Sequence, residues 1–454
     1  MKTRLELARD GQVLNVGDRF YKACDSNEAI VSAPLVESLE FMTMIQAVGE
    51  QEPLRGVHLP RAAARIHSAE WLVSYMLPVG WMAMLTGLFW IGDRSLYHKL
   101  YYVLIAAPTA ASVLLYPKSI KGLIRHPLFL AFAVFSAYMM LTLLWSPTDE
   151  SVTSLLKRPL YVGLLMLSVG LMACQCHKRL LWATYVSALI ATLGAVMLLA
   201  HFVMIELPRG DGRLSGMGAL YNPLLTSHVL GAFAAYWLAT AFRAPVGSLA
   251  LPSACLAVLL VAIIATGSRT PLVGLVLSFG WLLIGGNPKR GLIGAGIILA
   301  IGLSLVFFYP EALTQRGASY RPAIWAHVLN LVADKPWLGY GFDAGFVIPI
   351  PGLSVALADP HNIELAVLYE GGITGFALWA VLYMVALVCC WRHRNEPAFT
   401  IAGTWLIFGL GAGLTEGAAF MSRPKEHWLL IWLPMAFAYG LAVMQQKKTG
   451  IAKT

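Results

Sequence analysis

The chain has 454 residues, 58% of them hydrophobic and 13% charged, where an ordinary soluble domain carries roughly 25% charged residues. Together with a mean hydropathy of +0.67, this excludes a water-soluble globular enzyme. It also excludes a soluble domain on a single anchor, because apolar runs of membrane-spanning length recur from Trp71 to Met444. The net charge of +9 has a topological cause in basic loops, so nucleic acid is not an expected partner.

Residues 1–65 are polar and lack the apolar stretch of a cleavable signal, so the first membrane helix is expected to direct insertion. Alternation over residues 4–20, broken at Asp10-Gly11, reads as a hairpin, and residues 27–48 read as helical. No motif assigns this cytosolic extension a role. Segment 66–308 follows, with membrane helices expected near 71–92, 98–116, 126–145, 156–174, 180–206, 219–242, 247–267, 270–286 and 291–308. A subdomain spans 309–365, and residues 366–454 hold helices near 366–391, 398–419 and 427–445 and a tail. The fold class is an all-α polytopic membrane protein of about twelve transmembrane helices.

The 309–365 segment is the longest interruption of apolar sequence and carries Pro310, Pro322, Pro336, Pro349, Pro351 and Pro360. Within residues 321–334, Ile324, Trp325, Val328, Leu331 and Val332 share one helical face, which suits an amphipathic helix on the membrane surface. Loops of this length between membrane helices usually carry function.

A cytosolic N-terminus places Lys118, Lys121, Arg125, Lys178, Arg179, Lys289, Arg290, Arg392, Arg394, Lys447 and Lys448 inside, Asp149 and Glu150 outside, and both termini in the cytosol. The long loop is then periplasmic and the membrane a bacterial inner membrane. Of the six cysteines, none is placed for a periplasmic disulfide, and Cys174 and Cys176 lack the further cluster a metal site needs. Buried thiols are expected, and no metal or cofactor.

Topology depletes outward lysine and arginine, yet Arg209, Arg213, Arg269, Arg316, Arg321, Arg423 and Lys425 all fall on that side. Contact with membrane lipid headgroups accounts for some of them. Arginine's planar fork also binds phosphate oxygens in bidentate fashion, which suits an anionic substrate. Asp359-Pro360-His361-Asn362 closes the long loop, and Glu370-Gly371-Gly372-Ile373-Thr374-Gly375 follows inside the next helix, where small residues allow close helix approach. A lone histidine at a membrane boundary is more often an interfacial polar residue than a catalyst, and it is the wider pattern that singles out His361.

His361-Asn362, nine residues, then Gly372-Ile373-Thr374-Gly375 resembles the signature of the O-antigen ligase family. Gly267-Ser268-Arg269-Thr270, residues 321–325, the run Lys335-Pro336-Trp337-Leu338-Gly339-Tyr340-Gly341-Phe342, and Arg213 ahead of Tyr221-Asn222-Pro223 are similar in order and spacing to the O-antigen ligase and polymerase superfamily. The resemblance covers residues 70–445 and not the N-terminal extension.

It implies a GT-C-like glycosyltransferase that takes a glycan from undecaprenyl pyrophosphate and joins it to the lipid A-core acceptor, inverting and without metal or nucleotide. His361 would deprotonate the acceptor hydroxyl. Arg213, Arg321 and, less directly, Arg269 would bind the pyrophosphate. Asn362, Gly372 and Gly375 support the motif. Glu416, expected near the outer end of the helix at 398–419, would orient His361 or an arginine, or be simply a paired carboxylate in the bundle. A polymerase of the same superfamily would use the same groups on a different acceptor. A transporter or flippase would also have many helices, but no inverted repeat is evident and the polar residues gather at one face.

Overall fold

The computed structural model describes residues 61–210, 212–285, 320–349, 356–448 and 450. The described residues are almost entirely helical, with one isolated antiparallel bridge between Ile348 and Leu357. The expected N-terminal hairpin, the helix near 291–308, Cys24, Lys289, Arg290 and Arg316 lie outside the described residues.

Among the described residues, seven helices are long and apolar enough to cross a membrane: α1 (Arg65–Phe89), α2 (Arg94–Leu115), α3 (Pro127–Leu144), α4 (Val152–Arg209), α5 (Pro223–Arg243), α9 (Ile363–Arg392) and α11 (Glu426–Lys448). Three shorter apolar helices join them, α6 (Ala250–Ala265), α7 (Thr270–Gly285) and α10 (Pro397–Gly413), together with α8 (Arg321–Asp334). Two helices expected near 156–174 and 180–206 form one 58-residue element, α4, whose backbone breaks at Cys176 (φ −146, ψ 50). At 1.5 Å per residue the run would be roughly 87 Å long if straight, several times the thickness of a hydrocarbon layer, so the break divides it.

Helix α11 is the axis of the bundle. Trp432 to Met444 are buried on every side, as expected of a helix apolar all round. Glycines let it approach α4: a side-chain carbon at Gly170 would lie 2.8 Å from the Tyr439 ring, and one at Gly440 would lie 2.8 Å from Val169. The polar tips of buried aromatics find partners, with Tyr439 donating to the Leu123 carbonyl at 2.9 Å and Trp81 to Thr184 at 2.9 Å. On the outside, Val103, Val134, Leu193, Val261 and Met384 are each more than half exposed, the apolar exterior a lipid solvent requires.

Helix α9 explains why two separate sequence motifs occur together. Its backbone is broken at Gly372 (φ 62, ψ −169), a conformation essentially restricted to glycine. The segment 335–342 packs into the break and takes up the hydrogen bonds that the helix loses. Tyr340 and Gly341 donate to the Tyr369 and Glu370 carbonyls at 2.9 and 2.8 Å, and Ile373 donates to the Pro336 carbonyl at 2.7 Å. A side-chain carbon at Gly339 or Gly372 would meet the opposing backbone at 2.5 or 2.4 Å. The expectation of helix–helix approach at this glycine run therefore holds for Gly371 and Gly375, which face Tyr138 and Met139 of α3, and is corrected for Gly372, which receives a loop.

Candidate active site

The chain forms a non-helical corner at Asp359-Pro360-His361 because Asn362 starts helix α9. The Asn362 side chain accepts from the Leu365 amide at 2.9 Å, an N-cap that leaves the preceding residue outside the helix. His361 has φ 51, the left-handed region that histidine enters more readily than most residues. The Asp359 carboxylate fixes it there by accepting from the His361 amide at 2.7 Å. From α8, Trp325 donates to the Pro360 carbonyl at 3.1 Å. Helix α8 is the one expected from the apolar spacing, and it buries Ile324, Val328 and Val332.

Glu416 reaches this corner from the other side. It was expected near a helix end, but α10 stops at Gly413, and Glu416 lies in the irregular segment that follows. Glycines at 413 and 417 cause the correction. Gly417 has φ 84, and a side-chain carbon there would sit 2.6 Å from the His427 ring; one at Gly413 would sit 3.4 Å from Glu364. The carboxylate is thereby turned inward and is 5% exposed. One oxygen accepts from His361 Nδ1 at 3.3 Å and the other from Arg321 at 3.2 Å.

The hydrogen bond to Glu416 raises the His361 pKa above its ordinary value, against the opposing effect of burial, and the Asp359 carboxylate at 3.9 Å adds to the rise. Burial alone would push the Glu416 carboxyl up, but His361, His228 and Arg321 outweigh it and hold the group below the usual range. An Nδ1–H donated to Glu416 leaves Nε2 as the acceptor nitrogen, and among the described residues no protein group occupies it. A histidine oriented by a carboxylate in this way is chemically able to accept a proton at Nε2.

Arg213 and Arg269 belong to an adjoining group. Arg213 Nε donates to the Thr266 carbonyl at 2.8 Å, and Leu214 donates to the Ala265 carbonyl at 2.9 Å, which fastens the 212–217 loop onto the turn carrying exposed Arg269. From that turn Thr270 meets His228 Nε2 at 3.0 Å. His228 is buried in α5, where the charges of Glu416 and Arg321 reach it, so it links the two groups. Glu416 thus touches both Arg321 and His361 directly, whereas Arg213 and Arg269 connect through the Thr266–Thr270 turn.

The sequence reading missed four residues at this end of the bundle. His228 sits in an otherwise apolar helix and reads as core. Both ring nitrogens of His427 are buried without a hydrogen bond, 3.6 Å from Glu426 at the nearest. Arg94 pairs with the buried Glu426 at 3.0 Å, and Arg158 pairs with Asp343 at 2.8 Å and with Glu150. Arg94 opens α2 and Arg158 lies in the second turn of α4, and the available signal was charge near helix ends as well as in loops.

The family model described as O-antigen ligase matches residues 254–380. A protein of Pseudomonas aeruginosa called O-antigen ligase is 49% identical over 375 residues, which cover 83% of this chain and 92% of that protein.

Proposed function

This chain belongs to the O-antigen ligase family, and from that premise we propose that it transfers a glycan from undecaprenyl pyrophosphate to the lipid A-core acceptor. In this reading it works at the periplasmic face of the inner membrane, with both termini cytosolic. Division of α4 at Cys176 and inclusion of the three shorter apolar helices bring the crossings close to the expected number of about twelve.

The observation that carries the mechanism is the contact of His361 Nδ1 with Glu416, whose other oxygen holds Arg321. The acceptor hydroxyl attacks the anomeric carbon, its proton passes to His361 Nε2, and the bond from that carbon to the pyrophosphate oxygen breaks. Glu416 is a positioning residue that stabilises the imidazolium as it forms. Arg213, Arg321 and Arg269 neutralise the departing pyrophosphate, and cations fixed in place before reaction do so without reorganisation. Asn362 and Asp359 hold the corner on which His361 stands.

The test is a deletion strain whose lipopolysaccharide is resolved on a gel. The ligase reading expects lipid A-core without a ladder, while polymer accumulates on undecaprenyl pyrophosphate. A single repeat unit attached to the core would identify a polymerase instead.

A further inference from the structure

At the same end of the bundle as His361 lies a cavity of about 440 Å³, inside the range of roughly 300–1,000 Å³ usual for small-ligand sites. Four cations line it, Arg94, Arg158, Arg423 and Lys425, against two carboxylates, Glu150 and Asp343. Both carboxylates are engaged by Arg158, and Arg94 is engaged by Glu426. Arg423 and Lys425 form no ion pair with a carboxylate among the described residues. Arg423 has only a long contact to the Ser154 hydroxyl at 3.4 Å, and the half-buried Lys425 ammonium makes no hydrogen bond there. Burial pushes the Lys425 pKa down, the cost of a cation removed from water without a full counter-charge.

Two observations tie this cavity to the reaction centre. Arg423 and Lys425 stand on the same irregular segment as Glu416, and Lys425 feels the charge of Glu426, which Arg94 engages, and then those of Arg94, of Asp359, the residue that fixes His361, and of Arg158. Among the described residues, Asp343 (φ 62) and His361 (φ 51) are the non-glycine residues with positive φ, one in each polar group. Such conformations persist where the surrounding structure over-determines them.

Resting on the function proposed above, we infer that this cavity is a second anion site, apart from Arg213 and Arg321, that holds a phosphate group of a lipid-linked substrate and registers that substrate against His361. Both substrates carry this chemistry, the donor as a pyrophosphate and the acceptor as phosphates on lipid A.

The experiment measures binding to the detergent-purified full-length chain of three probes: undecaprenyl pyrophosphate, diphosphorylated lipid A, and phosphatase-treated lipid A. The double variant Arg423→Gln/Lys425→Gln should bind one phosphorylated probe about tenfold more weakly, because charge-assisted contacts to phosphate are lost, while binding of the phosphatase-treated lipid stays unchanged. Loss on undecaprenyl pyrophosphate assigns the cavity to the donor, and loss on diphosphorylated lipid A assigns it to the acceptor. The charge-retaining pair Arg423→Lys/Lys425→Arg should restore most of the affinity even if the neutral pair lowers the melting temperature. Unchanged affinity for both phosphorylated probes, or a stable charge-retaining pair as weak as the neutral one, overturns the inference. Because binding is read and not turnover, a chain that binds phosphate here yet transfers no glycan would defeat the functional reading and leave this site standing.

Discussion

The two ends of the bundle use positive charge in opposite ways. At one end Lys447 donates to the Cys174 carbonyl at 3.1 Å, Arg179 to the Ser74 carbonyl at 2.7 Å, Arg394 to the Trp391 carbonyl at 3.1 Å, and Arg243 to the Asn395 carbonyl. These cations finish helix ends and stack on rings, as Arg179 does over Tyr75. The ion pair found there among the described residues is the exposed His67 with the partly buried Glu70, at 4.0 Å. At the other end, Arg94, Arg158 and Arg321 each meet carboxylates, and Glu416 and Glu426 are buried. Burying such pairs is costly and adds little stability compared with apolar packing. Their concentration at a single end therefore points to a task other than holding the fold, while the opposite end needs only the bias that orients a membrane protein.

That contrast can be broken most readily at His361. Replacing it by Ala should lower glycan transfer by about 10²–10⁴, the contribution of a positioned base, while membrane insertion and donor binding are kept. Transfer by purified protein in the presence of a chelator is the measurement, so that a stray metal cannot act as activator. A smaller structural loss is expected at Gly372. An Ala side chain there would be about 2.4 Å from the Trp337 backbone at φ 62, and the strain should cost roughly 2–4 kcal/mol, read as a lower melting temperature in detergent.

Arg321→Lys sharpens the contrast further. A point ammonium cannot hold Glu416 and a phosphate in the same fork, so donor affinity should fall by about tenfold with protein level unchanged. Lysine in this position with wild-type affinity would make Arg321 a headgroup contact. At the opposite end Lys447→Gln should change neither transfer nor, by more than about 0.5 kcal/mol, stability, since surface substitutions away from special features are nearly neutral. A large loss of transfer there would erase the distinction between the two ends.

Much of the fold was legible in the sequence because lipid imposes long apolar helices with short breaks. The starts of α3, α5 and α9 lie within a few residues of where hydropathy put them. The break at Cys176 falls in the gap expected between the helices near 156–174 and 180–206, whereas one boundary escaped for a local reason: the Gly413 and Gly417 corner ends α10 before Glu416. In the site, His361, Asn362, Arg321 and Glu416 stood out by their spacing or by their charge on the outward side. Arg94, Arg158, His228 and His427 did not, because each lies inside a helical stretch where a single polar residue resembles ordinary core or a helix end. That Glu416 takes His361 on one oxygen and Arg321 on the other depends on contacts across 55 and 95 residues, beyond the reach of any local pattern.

The claim that His361 is a base tuned by Glu416 is tested most directly by the single-turnover rate against pH, in wild type, Glu416→Gln and His361→Ala. His361 must be neutral to accept the proton, and Glu416 raises its pKa, so the wild-type rate should climb with pH through a midpoint above the ordinary histidine value of about 6.5. Removing the carboxylate charge removes the cause of the rise, so in Glu416→Gln the limb should move to lower pH. In His361→Ala the limb should disappear from a rate already low. A limb that stays in place in Glu416→Gln, or that persists in His361→Ala, would contradict the account.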